Sequence, residues 1–200
     1  MQVATDPHRP SWDRLFDTAL AQEGHFTTEQ AADAGYSSQL LNRHLRSGKI
    51  RRVRRGVYRV VHFPAGEHED LTVLWLWTER AGVYSHETAL ALHDLSDLMP
   101  SRMHLTLPTA WHSRRLRVPD GVVLHYADID EAARAWFSAV PVTAPLRTIV
   151  DCARDKISPA VLQEAIEQAL ERGIVSRPDL DEAASGCPEI AGALARAAAP

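Results

Sequence analysis

The chain has 200 residues, 45% of them apolar and 24% charged, and a formal net charge of -4. That balance fits a globular protein of one or two domains with a core of its own. The apolar runs, such as VLWLW at 73–77, fall far short of the roughly 18 residues of a membrane span, and MQVATDPHRPSW contains no signal-peptide core. Only Cys152 and Cys187 occur, with no CxxC pair, which argues against a disulfide scaffold or a four-cysteine zinc site and for a reducing cytoplasm.

In chain order, residues 1–10 read as a flexible N-terminus. Ser11 is a good N-cap for a first helix over WDRLFDTALAQ, with Trp12, Leu15, Phe16, Ala19 and Leu20 at helical spacing. Thr27 and Gln30 form a capping-box pattern for a short second helix that Gly35 ends. Ser37 caps a third, SQLLNRHLR, stopped at Gly48. The period then changes: 50–53 and 57–61 read as two strands joined around Arg54-Arg55-Gly56. FPAGEHED at 63–70 reads as a linker. Residues 69–81 predict a helix that is apolar nearly all round, hence buried or covered. Ser85 is expected to cap HETALALHDL. Strands are expected at RMHLTLP, GVVLHYAD and SAVPVT. Thr143 is expected to cap APLRTIVDCARD, Ser158-Pro159 to open a helix closed by Gly173, and Ser176 with Asp179 to open another. PEIAGALARAAAP is weakly helical.

The charge is divided unevenly. Residues 1–66 carry net +4 and residues 67–200 carry -8, while 34–66 hold eight Lys or Arg and no acid. Helix, short helix, tight turn, helix and basic hairpin is the order of a winged helix-turn-helix. The third helix would enter the major groove and offer Ser38, Gln39, Asn42, Arg43 and Arg46 to base edges. Lys49 and the hairpin's Arg51, Arg52, Arg54, Arg55 and Arg59 would meet phosphates, with steep salt dependence. A merely solvated basic face is the alternative. No aromatic platform for stacking unpaired bases is evident, so duplex DNA is favoured over RNA.

The run GYSSQLLNRHLRSGKIRRVRRGVYRV, then SHETALALHDLSDLMPSRMHLTLP and PVTAPLRTIVDCARD, resembles the abortive-infection (AbiEi) antitoxins of type IV toxin–antitoxin systems, over about residues 11–155. The resemblance implies an N-terminal winged helix that represses its own operon through inverted repeats. It also implies a C-terminal domain that assists cooperative DNA binding and neutralises a separate nucleotidyltransferase toxin, as part of phage defence.

HETAL at 86–90 lacks the second histidine of a zinc-protease helix, since position 90 is Leu90. His86 and His93 lie seven apart, and His104 and His125 on strands could approach them; half-buried imidazoles with ordinary partners are the expectation. Arg147 and Asp151 are spaced for an i,i+4 ion pair. Arg114, Arg115 and Arg117 form a second basic cluster in an expected hairpin loop. There is no Walker loop or kinase signature. A Vsr-like nuclease is disfavoured because Lys49 and Lys156 are the only lysines and the tail lacks its spaced carboxylates.

The expected architecture is α+β: a winged helix-turn-helix over 11–66, then a mixed α/β domain over 67–200 with a small sheet and C-terminal helices. Trp75, Trp77, Arg114, Arg115 and Arg117 are candidate partner-binding residues, together with Glu164, Glu167 and Glu171. No catalytic residue, metal or cofactor is expected. The expected partners are operator DNA, the toxin and a second copy on DNA. Two alternatives stand: an enzyme of phosphotransferase type modifying the toxin or a nucleotide through His86, Glu87 or Asp94, and a transcriptional regulator without a toxin.

Overall fold

A computed structural model describes residues 10–197; the flexible tail expected over 1–10 lies, apart from Pro10, outside the described residues. The architecture is α+β, in two compact units. One runs to Ala81 and includes Ser138–Val140; the other comprises Gly82–Phe137 and Pro141 onward.

The first unit is built from α1 (Trp12–Leu20), β1 (His25–Thr27), α2 (Thr28–Asp33), α3 (Ser38–Arg46), β2 (Ile50–Arg54), β3 (Val57–Val60) and α4 (Glu69–Trp77). Local chemistry sets the helix starts. The hydroxyl of Ser11 accepts from Arg14 N–H at 3.3 Å, and Ser37 from Leu40 N–H at 3.3 Å. Thr27 and Gln30 complete a capping box, 3.1 Å one way and 2.9 Å the other. Each such cap is worth about 1 kcal/mol. The three strands form an antiparallel sheet in the order β1-β3-β2. One face of the unit's core joins Leu15 and Ala19 of α1, Ala31 of α2 and Leu41 of α3 to Phe26, Ile50 and Val60. Gly24, at φ +85°, lets the chain turn from α1 into β1; a Cβ there would lie 2.6 Å from the Phe63 ring. α4 packs against all three strands, so this helix completes the winged-helix unit.

The second unit contains β4 (Val83–Tyr84), α5 (His86–Leu92), β5 (Met103–Leu107), β6 (Val122–Tyr126), β7 (Arg134–Phe137), most of β8 (Val140–Thr143), α6 (Pro145–Arg154), α7 (Pro159–Glu171), α8 (Arg177–Ser185) and α9 (Pro188–Ala197). Its sheet has the order β6-β5-β4-β8-β7. β4 is antiparallel to β5 and parallel to β8, and β5 is parallel to β6. A helical core, with Leu90, Ile149, Ile166, Leu180 and Ile190 all buried, holds α5 through α9 together. Each such aliphatic side chain removed from water contributes about 1.5–3 kcal/mol.

Three local expectations are corrected. Because β5 and β6 run parallel, the segment holding Arg114, Arg115 and Arg117 is a crossover, with a 3-10 turn at Thr109–Trp111, and not a hairpin loop. α6 is capped by Ala144 rather than Thr143; the hydroxyls of Thr143 and Thr148 bond to each other at 2.7 Å instead. Ser85 does occupy the N-cap of α5, but its hydroxyl makes no capping bond and faces Thr106 and His86. No described helix is long and apolar enough to cross a membrane.

Candidate nucleic-acid interface

On α3, five side chains named from the sequence share one exposed face. At 100° per residue, Ser38, Gln39, Asn42, Arg43 and Arg46 fall within an arc of about 140°, and all five are exposed. The opposite face is anchored. Leu41 is buried, and the His44 ring packs against Trp12 (centroids 5.7 Å) and Tyr36 (5.5 Å). Burial, with the charges of Lys49 and Arg43, lowers the His44 pKa, so this anchor is a neutral ring. The helix therefore presents one hydroxyl, two amides and two guanidiniums outward on a fixed base.

The hairpin behind it supplies the rest of the charge. β2 is an edge strand whose Arg51 and Arg52 are exposed. The register shifts between Arg52 and Arg54, a bulge that bends and twists the edge. Arg55 and Gly56 make the two-residue turn, with Gly56 at φ +79°. Thr28 N–H at the start of α2 donates to Gly56 carbonyl at 2.9 Å, which ties the wing to the helical part. Lys49 and Arg55 are exposed, and Arg54 is half-buried. None of these cations is in an ion pair with a described residue.

Arg59 is the correction. Expected at phosphates, it is 5% exposed on the central strand β3. It makes an ion pair with the half-buried Glu69 of α4, its Nε donating at 3.1 Å. Its other nitrogens donate to the carbonyls of Val60, Phe63 and Pro64. Glu69 also accepts from Gly66 N–H at 3.1 Å. Burial pushes the Glu69 carboxyl up, but the Arg59 and Gly66 hydrogen bonds and the Arg59 charge outweigh it and leave the pKa below its usual range. The register explains the burial. His25, Arg59 and Arg51 lie abreast across the three strands, and α4 packs on this sheet. The arginine on the central strand is covered; the one on the edge strand is not.

The other named residues are scattered. Trp75 is buried and Trp77 half-buried, so Trp75 offers no surface to a partner. Arg114, Arg115 and Arg117 are exposed, and the Arg114 guanidinium stacks 3.8 Å over Trp111. Arg147 grips Asp151 with Nε at 2.8 and 2.9 Å from its two oxygens. Of His86, His93, His104 and His125, His93 diverges: its ring nitrogen Nε2 donates to Thr143 carbonyl at 2.8 Å. His86, His104 and His125 come together.

Comparison with known proteins fits this geometry. No curated protein matches the chain. A solved structure, that of the RV2827C protein from Mycobacterium tuberculosis, is similar at 20% identity with a TM-score of 0.55, over 98% of this chain and 80% of that one; it supports the fold alone. The family model described as "Transcriptional regulator, AbiEi antitoxin" matches residues 13–61, the segment from α1 through β3 that carries the exposed cations. By that match, residues 13–61 are similar to the AbiEi antitoxin family of transcriptional regulators.

Proposed function

We propose that this chain is the antitoxin of a type IV toxin–antitoxin system, which binds inverted-repeat operator DNA, represses its own operon and neutralises a cognate nucleotidyltransferase toxin in the cytoplasm. One observation carries the DNA-binding part: the exposed cations of α3, Lys49 and the β2–β3 wing lie in a segment without an acid, and none is in an ion pair with a described residue. Side chains free of internal partners are available to phosphates. In this reading α3 enters the major groove. Gln39 and Asn42 suit adenine and Arg43 and Arg46 suit guanine, while Arg51, Arg52, Arg54 and Arg55 lie along the backbone. An inverted repeat presents two half-sites, so two copies bind together.

The toxin-binding part is supported by the family match and by the longer sequence resemblance, and is assigned to the second unit. Binding is tested with a labelled duplex carrying the chain's own promoter, against a scrambled duplex at the same salt concentration. The expected result is tighter binding to the promoter, lost in the Arg54→Ala/Arg55→Ala variant. Equal affinity for both duplexes overturns the repressor reading. Co-expression with the cognate nucleotidyltransferase toxin tests the antitoxin reading: growth is rescued by the intact chain, and failure of rescue overturns it.

A further inference from the structure

We propose that His86, His104 and His125 form a binding site for one divalent transition-metal ion of the zinc type, with a coordination position open to the adjoining cleft. The three side chains come from three places in the second unit: the first residue of α5, the second of β5 and the fourth of β6. One ligand nitrogen from each lies within 4.8 Å of the other two. His104 Nδ1 and His125 Nε2 are 3.0 Å apart. That is close to the separation of about 3.3 Å between two nitrogens on a tetrahedral zinc, given Zn–N of about 2.0–2.1 Å. A single proton bridges these nitrogens now; a metal ion can take its place. The His86 ring stacks on His125 with centroids 3.6 Å apart, which places the third imidazole beside the same pair.

The surroundings suit ligands rather than isolated imidazoles. Metal-bound histidine commonly gives its other ring N–H to an oxygen, which fixes the tautomer. Ser85 Oγ lies 2.9 Å from His86 Nδ1 and is itself held by the Thr106 hydroxyl at 2.8 Å. The Glu87 carboxylate lies 3.9 Å from His104 Nε2. Burial is the leading cause that keeps all three rings neutral, the form that binds metal, and His86 is lowered to about 3. His86 and His125 line a cleft of about 550 Å³ shared with Arg147, Asp151 and Asp155. A fourth ligand, solvent or a donor from a bound molecule, enters from that side. Three imidazoles with one exchangeable position favour zinc and its neighbours over magnesium or calcium, which take oxygen.

The experiment uses the full chain, freed of metal with a chelator and titrated with Co²⁺ as an absorbing stand-in, then with Zn²⁺. One Co²⁺ per chain is expected, with the visible bands of four-coordinate cobalt. Zn²⁺ should displace it and raise Tm. His125→Ala, at the half-buried edge of the cluster, is expected to weaken binding at least a hundredfold, and Glu87→Gln by roughly tenfold. His62→Ala, in the first unit, should bind as the unaltered chain does. Absence of saturable uptake by the unaltered chain overturns the proposal without any variant. So does undiminished uptake by a His125→Ala protein whose circular dichroism is native.

Discussion

Arg51 and Arg59 stand opposite each other in the β2–β3 ladder, yet one lies in water and the other inside the protein. β2 is the edge of its sheet and β3 its centre, and α4 packs over the sheet and brings Glu69 to Arg59. The same residue type in one hairpin therefore serves two purposes. An exposed guanidinium is available to a phosphate; a buried one holds the fold and is spent. Strand order, which is a non-local property, decides which.

Stability gives the largest contrast between the two arginines. Arg59→Ala removes charge-assisted hydrogen bonds to the half-buried Glu69 and to three backbone carbonyls and is expected to cost about 1.5–3 kcal/mol, whereas Arg51→Ala should change stability by less than about 0.5 kcal/mol. Urea unfolding of the two variants checks this. Equal losses would mean that Arg51 is also structural. Specificity comes next. Arg43→Ala and Gln39→Ala are each expected to cost about 1–3 kcal/mol of discrimination between the operator and a site altered at one base pair, measured by competition at fixed salt. Charge counting gives a smaller step: Arg55→Ala should reduce the slope of log K against log salt by about 0.9 if it neutralises one phosphate.

The gentlest effect concerns His25, which lies abreast of Arg59 on β1. It is fully buried. Burial lowers its pKa below 6.5; Glu69 opposes that and Arg59 adds to it. The folded state thus holds His25 neutral where an unfolded chain would protonate it. Stability is complete above about pH 6.5 and falls as the pH drops below that value. Glu69, whose carboxyl is lowered, adds its own loss only below about pH 4.5, as the pH falls toward its folded pKa. Thermal melts at pH 7.5 and 5.5 should therefore show a drop, shared with the other histidines whose pKa is lowered, that His25→Leu reduces; an identical drop in the variant would assign it wholly to those groups.

What could be read from the residues was mostly local. Ser11, Ser37 and the Thr27/Gln30 box announce their helices because each cap is satisfied within three residues. The outward face of α3 followed from a single period. Features made by distant pairing were not legible. β1 is three residues long and is a strand only because β3 lies beside it; β4 has two residues and follows the same logic. Arg59 read as one more wing cation because Glu69, ten residues on, gave no sign that it would fold back. The histidines show a mixed result. His86 and His93 were expected on one face from their spacing, but α5 ends at Leu92 and His86 enters it at φ +52°, so helical periodicity does not relate them.

The central claim is that the exposed cations of α3 and the wing hold duplex phosphates while Arg59 does not. Its most direct test is the affinity for the promoter duplex measured across a series of salt concentrations, for the unaltered chain and for Arg51→Ala/Arg52→Ala/Arg54→Ala/Arg55→Ala. Binding should weaken linearly on logarithmic axes, and the fourfold variant should lose up to about 3.6 units of slope at 0.9 per phosphate. A promoter fragment left unbound in dilute buffer, or a slope that the four substitutions leave unchanged, would contradict it.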